Sequence, residues 1–175
     1  MTRIIPTLTT ARLSLRPFSD QDAEALYSIL RGEDVLKYFP WPGPPPLERV
    51  QRFITRQLAH WGEHGFGWWA VELSAQPGLL GWNGLQYLPE TGEIEVGYLV
   101  SKSFWGQGIA TEGAQASLKF GFETLNLENI IALVHPENKA SIRVIEKLGM
   151  AFDFQAEYFG MQVRHYSLSR ACFAP

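Results

Sequence analysis

Between Gly67 and Val100 the chain passes through three β-type runs, GWWAVEL, LLGWNGLQYL and GEIEVGYLV, separated only by the turn-rich segments AQPG and PETG. Connections this short join neighbouring strands, so the three runs read as an antiparallel meander. That meander constrains everything else: whatever fold the chain adopts is built on a sheet, and the flanking segments must cover it.

Those flanking segments have helical periodicity. Ser19 or Asp20 can cap a helix whose apolar stripe is Ala23, Leu26, Tyr27 and Leu30. Val50, Phe53, Ile54, Leu58 and Trp61 mark a second helix, and Ala110, Ala114, Leu118, Phe122 and Leu125 mark a third that begins near Gly108. A fourth runs from Asn138 to Leu148, with Gly149 at the position a left-handed C-cap requires. Further strands are read at Leu13 to Pro17, at NIIALV (Asn129 to Val134), and in a closing hairpin around Gly160. YFPWPGPPP, Tyr38 to Pro46, is five-ninths proline and reads as a stiff loop carrying Trp41. The order β α α β β β α β α β β predicts a mixed α+β fold with helices on both faces of the sheet.

The chain has 175 residues, 46% hydrophobic and 19% charged, which suits one globular domain spanning 1–175. A formal charge of −3 argues against a nucleic-acid partner, and mild acidity is compatible with a cationic substrate such as an amine. Cys172 is the only cysteine, so neither a disulfide framework nor a CxxC metal site is expected, and no metal is. The N-terminal MTRIIPTLTT has no apolar targeting core and no stretch approaches membrane-spanning length, so a cytoplasmic protein without membrane association is expected.

The segment FWGQGIATEG places Gly106 and Gly108 where a helix begins. A helix N-terminus presents unpaired N–H groups and partial positive charge, and glycine lets an anion approach them. A plain glycine-bearing turn is the other reading. No GK[ST] follows, so this is not a P-loop. A dinucleotide fingerprint fails because Thr111 and His135 stand where a third glycine and an acid are needed.

The segment resembles the pyrophosphate loop of the GNAT acetyltransferases, R/Q-x-x-G-x-G/A, with Gly108 and Ala110 on the last two elements and Trp105 in the R/Q position. That substitution is similar to the branch of ribosomal-protein N-terminal acetyltransferases of the RimJ and RimL type. TARLSLRPFSDQDAEAL, FGWWAVELSAQPGLLGWNGL and HPENKASIRVIEKLGM resemble other parts of the same family, in the same order. The resemblance implies a mixed, mostly antiparallel sheet of about seven strands with about four helices. It implies acetyl transfer from acetyl-CoA to a primary amine, on a protein N-terminus or a small molecule, by direct attack on the thioester.

The resemblance also distributes roles. The pyrophosphate falls to Trp105, Gly106 and the backbone of Gln107, Gly108, Ile109 and Ala110, with the Thr111 hydroxyl either a further donor or an ordinary first-turn group. The pantetheine arm falls to Tyr98, Leu99 and Val100, as an extended ligand adds to a strand edge. Glu93 and Glu95 share a face with Gly97 and Leu99, and a glutamate on this largely apolar strand can have its pKa raised toward neutrality by desolvation; Glu95, nearer the cleft, is the first choice as base, and Glu93 the other candidate. The family's tyrosine acid is replaced by Ile145, which leaves Ser141 as the substitute. Asn138 is either a pantetheine contact or a helix cap, and His135 a strand-end structural residue. Trp41 and the hairpin residue Tyr158 are expected to wall the acceptor cleft, and Trp68, Trp69 and Trp82 to pack the meander. Aromatics on the last strands permit a homodimer. A catalytically silent acyl-CoA-binding module is the alternative, which Ile145 keeps open.

Overall fold

A computed structural model describes residues 4–41 and 43–174. Its strands are β1 (Leu8–Thr9), β2 (Leu13–Arg16), β3 (Trp68–Leu73), β4 (Gln76–Leu88), β5 (Glu93–Val100), β6 (Asn129–Val134), β7 (Ala151–Tyr158) and β8 (Met161–Ser169). Its α-helices are α1 (Ala23–Leu30), α2 (Leu47–His64), α3 (Ile109–Lys119) and α4 (Lys139–Lys147). The strands form one eight-stranded sheet in the order β1-β2-β3-β4-β5-β6-β8-β7. Every neighbouring pair is antiparallel except β5 and β6, which are parallel.

Alternation along the strands sends side chains to two separate cores. Trp69, Val71, Leu85 and Val96 pack with Ile109, Ala114 and Leu118 of α3 and with Ile142 and Ile145 of α4. Ala70, Trp82 and Leu99 pack on the other face with Leu26 and Leu30 of α1 and with Val50 and Ile54 of α2. Helix α3 lies unusually close to the sheet: a Cβ on Gly113 would stand 2.7 Å from Asn83 Nδ2. The buried Ser117 hydroxyl beside it donates to Asn83 Oδ1 at 2.6 Å, so this polar pair is satisfied inside the layer.

In four details the structure refines the sequence reading. The sheet has eight strands, because Leu8–Thr9 pairs with Leu15 and Ser14; two residues are too few to show alternation. The turn expected at AQPG lies at Ser74 and Ala75, and Gln76 to Gly78 already belong to β4. Register shifts at Val71/Glu72 and Glu72/Leu73 mark a bulge opposite, where a ladder tolerates Pro77. The third helix ends in a π-helical turn, Phe120–Thr124. Of the proline-rich loop, Pro42 lies outside the described residues.

Candidate active site

Strands β5 and β6 meet at a single register pair, Glu95 with Ile131. Beyond it they part, and a cleft of about 710 Å³ opens between residues 96–100 and residues 132–135. The same cleft reaches Gly106, Gly108, Ile109, Ala110 and Thr111 at one end and Trp41, Trp68 and Trp82 at the other. Two strands that diverge leave backbone donors and acceptors along their inner edges for an extended ligand.

The glycine loop opens onto this cleft. Gly108 is the N-cap of α3, in the left-handed region at φ 78°, and no side chain caps the helix. Its first-turn amides therefore face the cleft with the helix dipole behind them. Arg12, which the sequence reading missed, stands beside this seat. Its Nη1 donates to the Gln107 carbonyl at 2.9 Å, and a Cβ on Gly108 would lie 3.4 Å from its Nη2. Glu112 holds Arg12 through Nε and the backbone N–H, and also accepts from the Thr10 hydroxyl. A cation thus adjoins the loop although Trp105 occupies its usual place. The Trp105 indole N–H instead donates to the Val100 carbonyl at 2.6 Å, tying the loop to the end of β5. The Gln107 side-chain amide donates to the Ser103 carbonyl and its own carbonyl accepts from Arg12, and Gln107 is not part of the cleft wall.

Glu95 projects from β5 where the strands separate and lines the cleft. The residue as a whole is half-buried, but its carboxyl lies deep among protein atoms, and depth governs its electrostatics. Burial pushes it up to about 8; the Leu133 N–H pulls the other way, and the charge of Glu93 adds to the rise.

Glu93 has a different setting. Its Oε1 faces His165 Nε2 at 2.8 Å, and its Oε2 accepts from the Tyr158 hydroxyl at 2.7 Å. The other His165 nitrogen, Nδ1, faces Asp153 at 2.9 Å, and Phe154 stacks on the ring. Burial raises the Glu93 carboxyl, but hydrogen bonds from Thr91, Tyr158 and His165 outweigh it and hold the group below the usual carboxylate range. Neither Glu93 nor Tyr158 lines the cleft. Of the expected site residues, Glu93 is thus an anchored carboxylate and Tyr158 is turned toward it, both outside the cleft wall. The residues that do close that wall are Phe159, Met161 and Val163. His165, more than seventy positions from Glu93, gave no signal in the sequence.

On the other side of the cleft, the Ser141 hydroxyl is 2.8 Å from the Tyr98 hydroxyl. Asn138 caps α4 by accepting the Ser141 N–H at 3.1 Å, which leaves its side-chain amide free toward the cleft. Ile145 is sealed in the core at 1% exposure. A phenol nevertheless reaches the start of α4, delivered by β5 instead of by the helix itself. Burial, the largest influence, raises the Tyr98 hydroxyl far above its ordinary range, so it stays protonated. His135 accepts the Glu137 N–H at Nδ1 and lies against Tyr38, a strand-end arrangement. Trp41 lines the end of the cleft away from the glycine loop, with Phe39 and the stacked pair Trp68 and Trp82, whose ring centroids are 3.9 Å apart.

A family model described as "Acetyltransferase (GNAT) domain" matches residues 12–151. The chain is 31% identical to an uncharacterized N-acetyltransferase, YoaA, of Bacillus subtilis, over 83% of each protein. Its fold is similar to the crystal structure of a GNAT-family acetyltransferase from Bacillus anthracis, with TM-score 0.83, 27% identity, and coverage of 95% of this chain and 99% of that one. It is also similar, at TM-score 0.78 and 19% identity, to RimL, a ribosomal L7/L12 alpha-N-protein acetyltransferase solved with coenzyme A, over 95% of this chain and 98% of that one.

Proposed function

Since the chain belongs to the GNAT acetyltransferase family and is an acetyltransferase, we propose that it transfers the acetyl group of acetyl-CoA to a primary amine, with Glu95 as base and the Tyr98–Ser141 hydroxyl pair as proton donor. The observation that carries this reading is the parting of β5 and β6 at Glu95, which puts a deep carboxyl beside a cleft that ends on uncapped helix amides.

The residues present fit the carrier. Amides of Ile109, Ala110 and Thr111, with Arg12 alongside, suit a diphosphate. The open edge of residues 98–100 suits its amide-bearing arm, and Asn138 offers a free donor. Bound there, acetyl-CoA supplies an activated acetyl thioester; the chain supplies position and protons. An ammonium has no lone pair for attack, so Glu95 must first take a proton from it, which a carboxyl near 8 does at mildly alkaline pH. The backbone of β5 is available to the oxygen charge that develops on the acyl carbon, an effect of roughly 3–4 kcal/mol where a donor is well aimed. The departing sulfur needs a proton, and Ser141, relayed by the protonated Tyr98, is the nearest source.

The direct test is CoA release from acetyl-CoA in the presence of an amine panel that includes N-terminal peptides and polyamines. Turnover dependent on both substrates is expected; acetyl-CoA binding without turnover on any acceptor supports the silent binding module instead. The hydroxyl pair is tested separately. Ser141→Ala and Tyr98→Phe should each lower kcat about 10- to 100-fold, and the double variant should do no worse than the weaker single one, because the two act as a unit. Independent, multiplying losses would assign them separate roles.

A further inference from the structure

A second cavity, of about 540 Å³, lies between α2 and the sheet and continues the acceptor end of the cleft. The two share Trp41, Trp68, Trp82 and Gln86. Gln86 is the cross-strand partner of Glu95, so the second cavity begins next to the carboxyl that faces the amine. Its outer wall carries Arg49, Arg52 and Arg56, spaced three and four residues apart on one face of α2. No ion pair or side-chain hydrogen bond among the described residues involves any of the three guanidinium groups. Arg12, Arg16 and Arg170, by contrast, each hold a carboxylate.

Among the described residues no carboxylate lines this cavity, and the acids of α2, Glu48 and Glu63, are absent from its wall. His60, also on the wall, has both ring nitrogens engaged, with the Phe66 carbonyl and the Tyr87 N–H. The positive character therefore comes from the three guanidinium groups, in a chain whose net charge is −3. The cavity floor is aromatic, with Phe53 against Trp68 and Trp82.

Guanidinium groups pair with carboxylates in a two-pronged geometry that ammonium groups cannot match, and they repel a cationic substrate. From Arg49 to Arg56 the helix advances about 10 Å at 1.5 Å per residue. That is the length of about three residues of extended chain. A free amino acid, with at most two carboxylates, leaves at least one of the three guanidinium groups unpaired.

We propose that this cavity receives the first residues of an acidic polypeptide, so that the acceptor is an N-terminal amine followed by carboxylate side chains. The inference rests on the reading of Glu95 as the group that faces the amine. It makes polyamines poor acceptors, whatever the overall charge of the chain suggests.

The test compares hexapeptides with the same N-terminal serine and with glutamate, glutamine or lysine at positions two to four, alongside free glutamate and spermidine. CoA release is followed with the wild type and with the triple variant Arg49→Gln/Arg52→Gln/Arg56→Gln, and acetyl-CoA affinity is measured by calorimetry. The acidic peptide is expected to exceed the lysine peptide in kcat/KM by about 100-fold at low salt, and the gap should shrink as salt rises. The triple variant should bring the two within about 3-fold of each other while acetyl-CoA affinity stays at the wild-type value. Equal rates for the acidic and lysine peptides, an undiminished preference in the triple variant, or free glutamate matching the acidic peptide would each overturn the proposal. If acetyl-CoA binds but no acceptor is turned over, peptide binding followed by tryptophan fluorescence decides. Arginine-dependent binding of the acidic peptide upholds the cavity assignment and places the failure on the catalytic reading; no binding of it overturns the assignment.

Discussion

Glu95→Gln should lower kcat by about 10²- to 10⁴-fold, the range of a lost general base, with acetyl-CoA affinity unchanged. Wild-type kcat should climb as pH rises through about 8, where this buried carboxyl ionises, and the variant should lose that limb. The same group ties catalysis to stability. Its folded-state value lies above the ordinary 4.5, so the folded protein keeps a proton that the unfolded chain has already released. Native stability from this source is therefore complete below about pH 4.5, declines as pH approaches 8, and is level above that. The Gln variant should be as stable as the wild type at pH 5 and more stable at pH 9, by a few kcal/mol or roughly 5–10 °C in Tm. A variant that is inactive and equally destabilised at both pH values would show that the residue matters only for packing.

The second large effect is expected at the loop. Gly108→Val should weaken acetyl-CoA binding by about 100-fold or more, measured by calorimetry, because it forces a β-branched residue into the left-handed region and sets a side chain over the anion seat. The apo protein should survive it. Among the described residues only Arg12 comes within 4 Å of a Cβ at this position, and the strain of about 1–3 kcal/mol should cost roughly 3–8 °C in Tm. Wild-type affinity in a folded Gly108→Val protein would remove the helix N-terminus from the site.

Much of the architecture is legible along the chain because it is local. The Gly67 to Val100 runs become β3, β4 and β5, and the closing hairpin turns at Phe159 and Gly160, both at positive φ, as a two-residue connection requires. Gly108 and Gly149 end up at helix boundaries in the left-handed region. What escaped lies in contacts between distant segments. Arg12 reaches the glycine loop only because β1 and β2 fold beside the start of α3. Tyr98 meets Ser141 only because β5 passes the first turn of α4. Glu93 and Glu95 share one strand face, with Glu95 the one read as nearer the cleft, but the partners that set them apart, His165, Tyr158 and Asp153, lie on the far hairpin.

The order of strands and helices, and the glycines that open α3 without a Cβ in the way, are properties of neighbouring residues, and the amino-acid sequence alone determined them. Which partners hold Glu93, which hydroxyl stands behind Ser141, and which arginines line the second cavity were decided only by the tertiary structure. Charge and proton affinity depend on depth and on partners dozens of residues away, and no periodicity in the chain encodes either.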